Sequence, residues 1–252
     1  MFIPLHDANG LRYIKRQYVT IGLILINIAC FAATGLAGDV YLATNAYGWG
    51  FTPALAGGRI AVAEFPYVPE TMTYVTYAFL HGDILHLAGN MLFLWVFGDN
   101  VEDALGHVRF LLFYLAAAAA GAFMHFLALP ESDTPLIGAS GAVAGVVTAY
   151  LILHPKVRLW VLVFGRLPLR LPAFVPILLW IAYQFYMFSA LPDDRVSWPT
   201  HVGGILAGAL LVLVLRRRGV PLFDRAVVTP QSVEVGDASG KDDGVGMRWG
   251  RQ

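Results

Sequence analysis

The chain has 252 residues, of which 58% are hydrophobic and 13% are charged. Soluble globular domains average roughly 45–50% apolar and about 25% charged residues, so this composition excludes an ordinary soluble protein and favours a membrane protein. Seventeen Lys and Arg balance seventeen Asp and Glu, which leaves no basic excess of the kind that nucleic-acid-binding proteins carry. The single cysteine, Cys30, excludes an intramolecular disulfide and any multi-cysteine metal site.

Six stretches without Asp, Glu, Lys or Arg approach or reach the roughly 20 apolar residues that a membrane-spanning helix needs. In chain order they are 17–38, 84–98, 110–130, 134–155, 171–192 and 196–215. Asp83 and Asp99 bound the second stretch, and a carboxylate is tolerated at a helix N-terminus or at headgroup level, so this span is predicted as 83–101. The sequence therefore predicts an all-α membrane protein with a bundle of six transmembrane helices.

Basic residues concentrate in one set of connections, as the positive-inside rule requires of cytoplasmic loops. These connections lie before span one, between spans two and three, between spans four and five, and after span six. Their basic residues are Arg12, Lys15, Arg16, Arg109, Lys156, Arg158, Arg166, Arg170, Arg216, Arg217 and Arg218. The opposite loops contain Arg59 and Arg195. Both termini are therefore predicted to be cytoplasmic, in a multi-pass protein of the cell membrane.

This topology divides the chain into a cytoplasmic N-terminal segment at 1–16, a six-helix domain at 17–217 and a tail at 218–252. The tail is predicted to be disordered, because Gly, Asp, Val and Ser dominate residues 236–246 without periodicity. The connection 39–82 is long, and its aromatic content predicts a segment folded onto the membrane surface. Its aromatic residues include Trp49, Phe51, Phe65, Tyr67, Tyr74, Tyr77 and Phe79.

Strongly polar side chains inside the spans are costly in lipid, so each is a functional candidate unless a structural partner explains it. Ser140 and His201 lie a few residues into spans four and six, which run in the same direction, so they are expected at similar depth. A histidine that accepts the hydroxyl proton is the simplest activator of a serine nucleophile. Glycines at helical spacing after each residue would let the two helices pack closely. They are Gly141 and Gly145 in span four and Gly204 and Gly208 in span six.

Taken separately, the glycine motif indicates a tight helix crossing and His201 an interfacial or capping histidine; their shared depth favours chemistry. No Asp or Glu lies in a span where it could orient His201, which predicts a Ser–His dyad held by packing and by an aromatic neighbour. Asp193 and Asp194 are interpreted as a solvated rim of the outer loop. His125, in the alanine-rich third span, is interpreted as a structural residue.

A second polar group lies at the outer end of span two. His86 and Asn90 are four residues apart and share a helix face. Acyl transfer needs hydrogen-bond donors for the oxyanion, which Asn90 and the Ser140 N–H can supply, with His86 as a further donor or as support for Asn90. Metal binding by His81 and His86 is disfavoured, because their spacing departs from H-E-x-x-H and no later span contributes a carboxylate.

Several linked motifs together resemble the rhomboid family of intramembrane serine proteases, in particular its bacterial members. They are His81-x4-His86-x3-Asn90, Gly-Asp-Asn-Val-Glu-Asp-x-Leu-Gly from Gly98 to Gly106, Gly138-Ala-Ser140-Gly141-Ala142, and His201-x-Gly-Gly204-x3-Gly208. The opening residues 3–7 are similar to the start of many bacterial members. The resemblance covers about residues 1–215, in the family's order and spacing.

The resemblance implies that Ser140 is the nucleophile, His201 the general base and then acid, and Asn90 with the Ser140 amide the oxyanion hole, which His86 supports. It implies cleavage of peptide bonds in or beside transmembrane segments of other membrane proteins, without a metal or cofactor. It also implies that the outer loop around 193–199 caps the site and that span five borders the substrate's access path. The further residues predicted to support the site are His81, Gly138, Gly141 and Gly204.

Two departures from the family pattern are the absence of a Trp-Arg pair in the first outer loop and Thr200 where Ala commonly precedes the histidine. Neither removes a predicted catalytic group. The leading hypothesis is an intramembrane serine endopeptidase whose active site admits water from the extracytoplasmic face. A catalytically silent rhomboid-like protein that binds membrane clients is the alternative. A transporter or channel is disfavoured, because the polar residues cluster at the outer end of the spans.

Overall fold

Helices make up most of the chain in this computed structural model, which describes residues 2–36, 38–61, 65–163, 165–190 and 196–224. The helices are α1 Tyr18–Thr34, α2 Asp39–Trp49, α3 Pro53–Ala56, α4 Glu70–Thr76, α5 Ile84–Leu105, α6 His107–Ala128, α7 Ser140–Leu153, α8 Phe174–Ala190 and α9 Trp198–Leu215. A 3₁₀ turn, Tyr77–Phe79, precedes α5. The strands are β1 Phe2–Asp7, β2 Arg158–Val163 and β3 Leu167–Pro172.

Each of the six predicted spans overlaps one of these helices, although α5 and α6 extend beyond the predicted 83–101 and 110–130. Three of them, α5, α6 and α9, are long and apolar enough to cross a membrane. The other three, α1, α7 and α8, are apolar but have 17, 14 and 17 residues. Asp83 accepts a hydrogen bond from the His86 N–H and caps α5, as expected for a carboxylate at a helix N-terminus. The apolar helices indicate an integral membrane protein.

Helix α7 lies at the centre of the bundle, where it packs against α5, α6 and α9. Its residues from Gly141 to Tyr150 are all buried, and most of them are Gly, Ala or Val, which leaves room for neighbouring helices. The tightest of these contacts is with α9. A methyl group on Gly204 would overlap the carbonyl oxygen of Gly141, and one on Gly208 would overlap that of Gly145.

The close packing predicted for the two glycine faces is thus confirmed. Because the paired glycines are four residues apart on both helices, α7 and α9 run parallel with a constant register. Ser140 is the residue before Gly141, and His201 lies three residues before Gly204. The N-terminal ends of the two helices therefore lie side by side.

The expectation of an all-α protein is wrong in one respect, because the chain also forms a three-stranded antiparallel sheet in the order β1-β2-β3. Strand β2 alternates exposed Arg158 and Trp160 with buried Leu159 and Val161, the pattern of a half-buried strand. A search for uncharged runs passes over this alternation and interprets the basic segment only as a loop. Strand β1 brings the N-terminal segment onto the same sheet, pairing Ile3 with Leu162.

The acidic motif at the end of α5 holds the N-terminal segment in place. Glu102 is fully buried and accepts hydrogen bonds from the backbone N–H groups of Val19 and Thr20, at 2.9 and 2.8 Å. These are orphan donors of the first turn of α1, so the carboxylate caps that helix. Asp103 accepts from three further backbone N–H groups, those of Arg12, Tyr13 and Ile14.

The connection between α1 and α5 is folded into the short helices α2, α3 and α4 and the 3₁₀ turn. Some of its aromatic residues belong to the protein core: Phe51 and Tyr77 have no exposed surface. The Tyr77 hydroxyl donates to the Ala118 carbonyl of α6 at 2.8 Å. Phe51 packs against Tyr74, with ring centroids 4.4 Å apart. The segment is therefore built into the bundle, and only part of its aromatic surface is free for lipid.

Residues after α9 remain attached to the bundle as far as the described chain extends. Val220 is buried, and the N–H groups of Phe223 and Asp224 donate to the carbonyls of Ile152 and Leu153 at the end of α7. The segment from Arg218 to Asp224, predicted as the start of a disordered tail, is thus part of the folded molecule. The rest of the predicted tail, 225–252, lies outside the described residues.

Candidate active site

Ser140 is the first residue of α7, which differs from its predicted position a few residues into a helix. The preceding residues 134–139 are not helical, because Pro135 disfavours a helix there and Gly138 has a φ of +120°, a conformation that favours glycine. The Gly138 N–H donates to the Tyr77 carbonyl at 3.0 Å. This bond fixes the turn that presents Ser140 at the start of the helix.

His201 is the fourth residue of α9 and is partly buried among aromatic rings. Its ring centroid lies 6.4 Å from that of Trp180 on α8 and 5.9 Å from that of Trp198 on α9. His201 Nδ1 lies 2.8 Å from the side-chain oxygen Oε1 of Gln184, also on α8. The expectation that aromatic neighbours and packing hold this imidazole is confirmed, and a polar partner is added.

Gln184 is the residue that the sequence analysis missed. A carboxylate is the usual partner of a catalytic histidine, so an uncharged amide is not predicted in that place. A signal was present, since Gln184 is a strongly polar side chain in the middle of span five, where polarity is costly.

His86 and Asn90 both lie on α5, one turn apart, and their surroundings differ. The His86 ring packs on Gly138, where a Cβ atom would come within 2.6 Å of its Cε1 and Nε2 atoms. Asn90 is buried, and its Nδ2 group has no hydrogen-bond partner among the described residues. His81 is fully buried and packs edge-on against His86, with ring centroids 5.1 Å apart.

Several of the predicted site residues meet around the start of α7. His86 touches Gly138, and Gly141 touches both Gly204 and the residue before His201. In the described part of the chain, Ser140 and His201 lie near the ends of two helices that touch at Gly141 and Gly204, and they are not hydrogen-bonded to each other. The predicted rim residues Asp193 and Asp194, with much of the predicted capping loop, lie outside the described residues.

Thr200, the departure from the family pattern next to His201, has a clear place in the packing. It is fully buried, and its methyl group lies where Cβ atoms of Gly121 and Gly141 would be. The threonine therefore fills space that two glycines leave open, and it keeps α9 in contact with α6 and α7.

His125 has a structural partner. Its Nδ1 atom lies 2.8 Å from the hydroxyl of Ser197, the N-cap residue of α9. Ser197 in turn accepts a hydrogen bond from the Thr200 N–H. His125 thus supports the cap of the helix that carries His201, which agrees with its interpretation as a structural residue. Among the described residues, no group of three or more His, Cys, Asp or Glu side chains is arranged to hold a metal ion.

Comparison with known proteins gives a family match over residues 68–218, to the model of the rhomboid domain. Rhomboid protein 1, mitochondrial, of Saccharomyces cerevisiae is 32% identical over 148 residues, which are 57% of this chain and 42% of that protein. Rhomboid protease GluP of Bacillus subtilis is 47% identical over 72 residues, 29% of this chain and 14% of GluP. Human Rhomboid-related protein 3 is 28% identical over 176 residues, 63% of this chain and 40% of its own.

These relatives come from mitochondria, from a bacterium and from an animal, and the matched segments cover less than half of each of them. The family match includes α5 to α9 and with them every residue of the candidate active site. Since it extends over more than half of the chain, the chain belongs to the rhomboid family.

Proposed function

We propose that this rhomboid is an intramembrane serine endopeptidase that hydrolyses peptide bonds in or beside transmembrane segments of other membrane proteins. The observation that carries the proposal is the glycine contact between α7 and α9, which brings the helix ends bearing Ser140 and His201 together. Faces of small residues let membrane helices pack this closely, and here each face follows a residue whose side chain can act as a nucleophile or a base.

In the proposed reaction, His201 Nε2 takes the proton of the Ser140 hydroxyl while Oγ bonds to the scissile carbonyl carbon. The imidazolium then returns the proton to the leaving amine, and water repeats the sequence on the acyl-enzyme. Catalytic hydrogen bonds are often long before substrate binds and tighten in the substrate complex, so adjacency without a formed bond is compatible with this role.

The position of Ser140 also favours stabilisation of the oxyanion. As the first residue of α7, it has a backbone N–H without a partner inside the helix, and the positive end of the helix dipole points the same way. Asn90 contributes a buried Nδ2 group that has no partner among the described residues. An unpaired buried donor is costly, which supports a role in binding an oxyanion.

The short length of α7 supports a site below the membrane surface. Its 14 residues rise only about 21 Å, whereas the hydrocarbon core is about 30 Å thick. The helix tolerates this length because protein surrounds it, and the chain just before Ser140 is not helical. A substrate helix would have to unwind locally there, because its own hydrogen bonds shield the scissile carbonyl.

The proposed topology has six spans, α1 and α5 to α9, with both termini on the cytoplasmic side of the cell membrane. The distribution of Lys and Arg supports this orientation. The active site then opens to the extracytoplasmic side, and the sheet formed by β1 to β3 lies at the cytoplasmic surface. The bacterial character of the opening motifs supports a bacterial type of rhomboid, which acts without a metal or cofactor.

The proposal is tested by incubating the purified full chain in detergent with several model transmembrane substrates. We expect cleavage by the wild type and a loss of at least about 10³-fold in Ser140→Ala and in His201→Ala, since each change removes a group that bonds to or protonates the reacting atoms. Ser189→Ala is the matched control, because Ser189 is an exposed serine whose hydroxyl donates to the Tyr186 carbonyl. No cleavage by the wild type, or cleavage by Ser140→Ala, would reject the proposal.

A further inference from the structure

We infer that Gln184 is a positioning residue for His201: its amide holds the imidazole in the tautomer that carries a proton on Nδ1, which leaves Nε2 free to accept the proton of Ser140. The inference rests on the proposed function and adds to it a group that acts through the base. Its basis is the 2.8 Å contact between Gln184 Oε1 and His201 Nδ1.

The orientation of the Gln184 amide follows from its second contact. Gln184 Nε2 lies 3.2 Å from the carbonyl oxygen of Trp180, one turn earlier on α8. A carbonyl oxygen can only accept hydrogen bonds, so the NH₂ group has to face Trp180. The amide oxygen is then the atom that faces His201. Exchanging the two ends of the amide would put oxygen against oxygen at Trp180.

The tautomer of His201 follows in the same way. Gln184 Oε1 is an acceptor without a proton, so His201 Nδ1 has to be the donor. A neutral imidazole carries one proton, and with that proton on Nδ1 the other nitrogen, Nε2, has a free lone pair. This is the protonation state that a general base for the Ser140 hydroxyl needs.

The surroundings keep this contact in one arrangement. Gln184 is 2% exposed, so water has little access with which to compete for the amide. Trp180 lies beside the same imidazole at an interplanar angle of 32°, and Trp198 meets it edge-on at 84°. The two α8 residues and Trp198 therefore restrict both the ring plane and its rotation. A buried side-chain amide with both ends satisfied is strongly oriented.

The amide takes the place that a carboxylate holds in a Ser–His–Asp triad, with one physical difference. An Asp both selects the tautomer and stabilises the imidazolium by its charge, whereas a neutral Gln selects the tautomer and adds no charge. A carboxylate at position 184 would add the attraction between its negative charge and the imidazolium. It would keep the base protonated up to higher pH, which would move the acid limb of the pH–activity profile upward.

Two variants separate these effects. Gln184→Met keeps a long, flexible side chain and removes the amide, and we expect kcat to fall about 10- to 10²-fold with little change in KM. Gln184→Glu keeps an acceptor at the same place, and we expect it to retain most of the kcat of the wild type above the shifted acid limb. Tyr186→Phe is the control on the same helix, since the Tyr186 side chain is exposed and distant from His201 in register.

The direct measurement is ¹⁵N NMR of the full chain labelled on histidine, in detergent, with His201→Ala used to assign the His201 signals. The wild type should show a protonated Nδ1 and an unprotonated Nε2, and Gln184→Met should show a mixture of tautomers. A wild-type His201 protonated on Nε2 would overturn the inference, even in an active enzyme. An equal loss of activity in Gln184→Met and Gln184→Glu without a shift of the pH profile would also overturn it, since that result marks a structural role.

The proposed protease activity and the proposed role of Gln184 can fail separately. Absence of cleavage by the wild type would reject the proposed function and with it the catalytic consequence for Gln184. The tautomer measurement does not depend on cleavage. It therefore shows whether Gln184 sets the tautomer of His201 whether or not the protein is active.

Discussion

At the scale of single residues, the side chains of the candidate site differ in whether they have hydrogen-bond partners. His201 has a polar partner and two aromatic neighbours, and the turn before Ser140 is fixed by Gly138 and the Tyr77 carbonyl. The Asn90 Nδ2 group, by contrast, is buried without a partner among the described residues. A donor kept free in this way is most useful to an acceptor that forms only during the reaction.

Removal of the Asn90 amide should therefore lower turnover and leave folding intact. We expect Asn90→Ala to reduce kcat about 10²-fold, and less if His86 donates in its place. The assay is cleavage of a transmembrane substrate, with thermal unfolding measured in parallel. Asn45→Ala is the control, because the Asn45 amide bonds to a carbonyl of its own helix, α2. Equal activities of the two variants would remove Asn90 from the proposed oxyanion hole.

Sequence reasoning found the polar residues of the site because each is conspicuous within an apolar span. It could not find the contact of Gln184 with His201, since that contact depends on how α8 faces α9. Nor could it fix the start of α7. Helix α7 begins where it does because of the positive φ of Gly138. In the uncharged run from 134 onward, Pro135 and Gly138 are the residues that indicate such a turn.

At the scale of the elements, the glycine contact between α7 and α9 is the geometrical condition for the site. It brings two helix backbones into direct contact, and any side chain at the contact would separate them. Ser140 and His201 lie within one turn of this contact, so a displacement of either helix acts directly on their separation. Misplacement of about 1 Å is enough to cost catalysis about 10²-fold.

Gly204→Ala should accordingly abolish most of the activity, because its methyl group would overlap the Gly141 carbonyl. Overpacking of this kind also destabilises by about 1–3 kcal/mol. Gly22→Ala on α1 is the matched control, since a Cβ atom there meets nothing within 4 Å. The comparison is made by substrate cleavage and thermal unfolding. If Gly204→Ala were as active as Gly22→Ala, the contact would not matter for catalysis.

The carboxylate cap of α1 makes a second prediction at this scale. Glu102→Ala leaves the buried N–H groups of Val19 and Thr20 without their acceptor, which should lower the free energy of unfolding by about 2–4 kcal/mol. Glu131→Ala is the comparison, because Glu131 is an exposed acid paired with Arg59 at the surface. Thermal unfolding in detergent measures both. Similar small shifts in the two variants would show that Glu102 is not needed to anchor α1.

The helices agree with the sequence pattern better than the sheet does. Uncharged runs located α1 and α5 to α9, since lipid imposes a simple compositional rule on spanning segments. The sheet was missed because its strands contain the same basic residues that mark a loop by the positive-inside rule. Buried and exposed side chains do alternate in β2, but the run is too short to predict a strand by itself. Its partner β1 lies more than 150 residues away in the sequence.

At the scale of the whole molecule, the N-terminal strand is tied to the bundle through a buried acid. The Asp7 carboxylate accepts hydrogen bonds from the Tyr150 hydroxyl at 2.8 Å and from the Asn100 amide at 3.2 Å. Burial raises the pKa of Asp7 from 3.8 to about 6, although the hydrogen bond from Tyr150 acts in the opposite direction. One residue therefore links β1 with α5 and α7.

This raised pKa predicts a pH-dependent stability. Between about pH 4 and 6 the folded state binds the Asp7 proton more tightly than the unfolded state, so stability falls as pH rises through this range, by about 3 kcal/mol, and is then constant. In Asp7→Asn that component should vanish, and the variant should be more stable than the wild type at pH 7.5. Thermal unfolding between pH 4.5 and 7.5 tests it, with exposed Asp133→Asn as the control. An unchanged pH dependence in Asp7→Asn would refute the assignment.

Covalent labelling shows, without a substrate, whether Ser140 is a nucleophile activated by His201. The full chain in detergent is treated with a fluorophosphonate probe, and the labelled peptide is identified by mass spectrometry. We expect a single adduct on Ser140 that is lost in Ser140→Ala and strongly reduced in His201→Ala. An adduct on Ser197, the serine paired with His125, or equal labelling of Ser140 in the absence of His201, would contradict it.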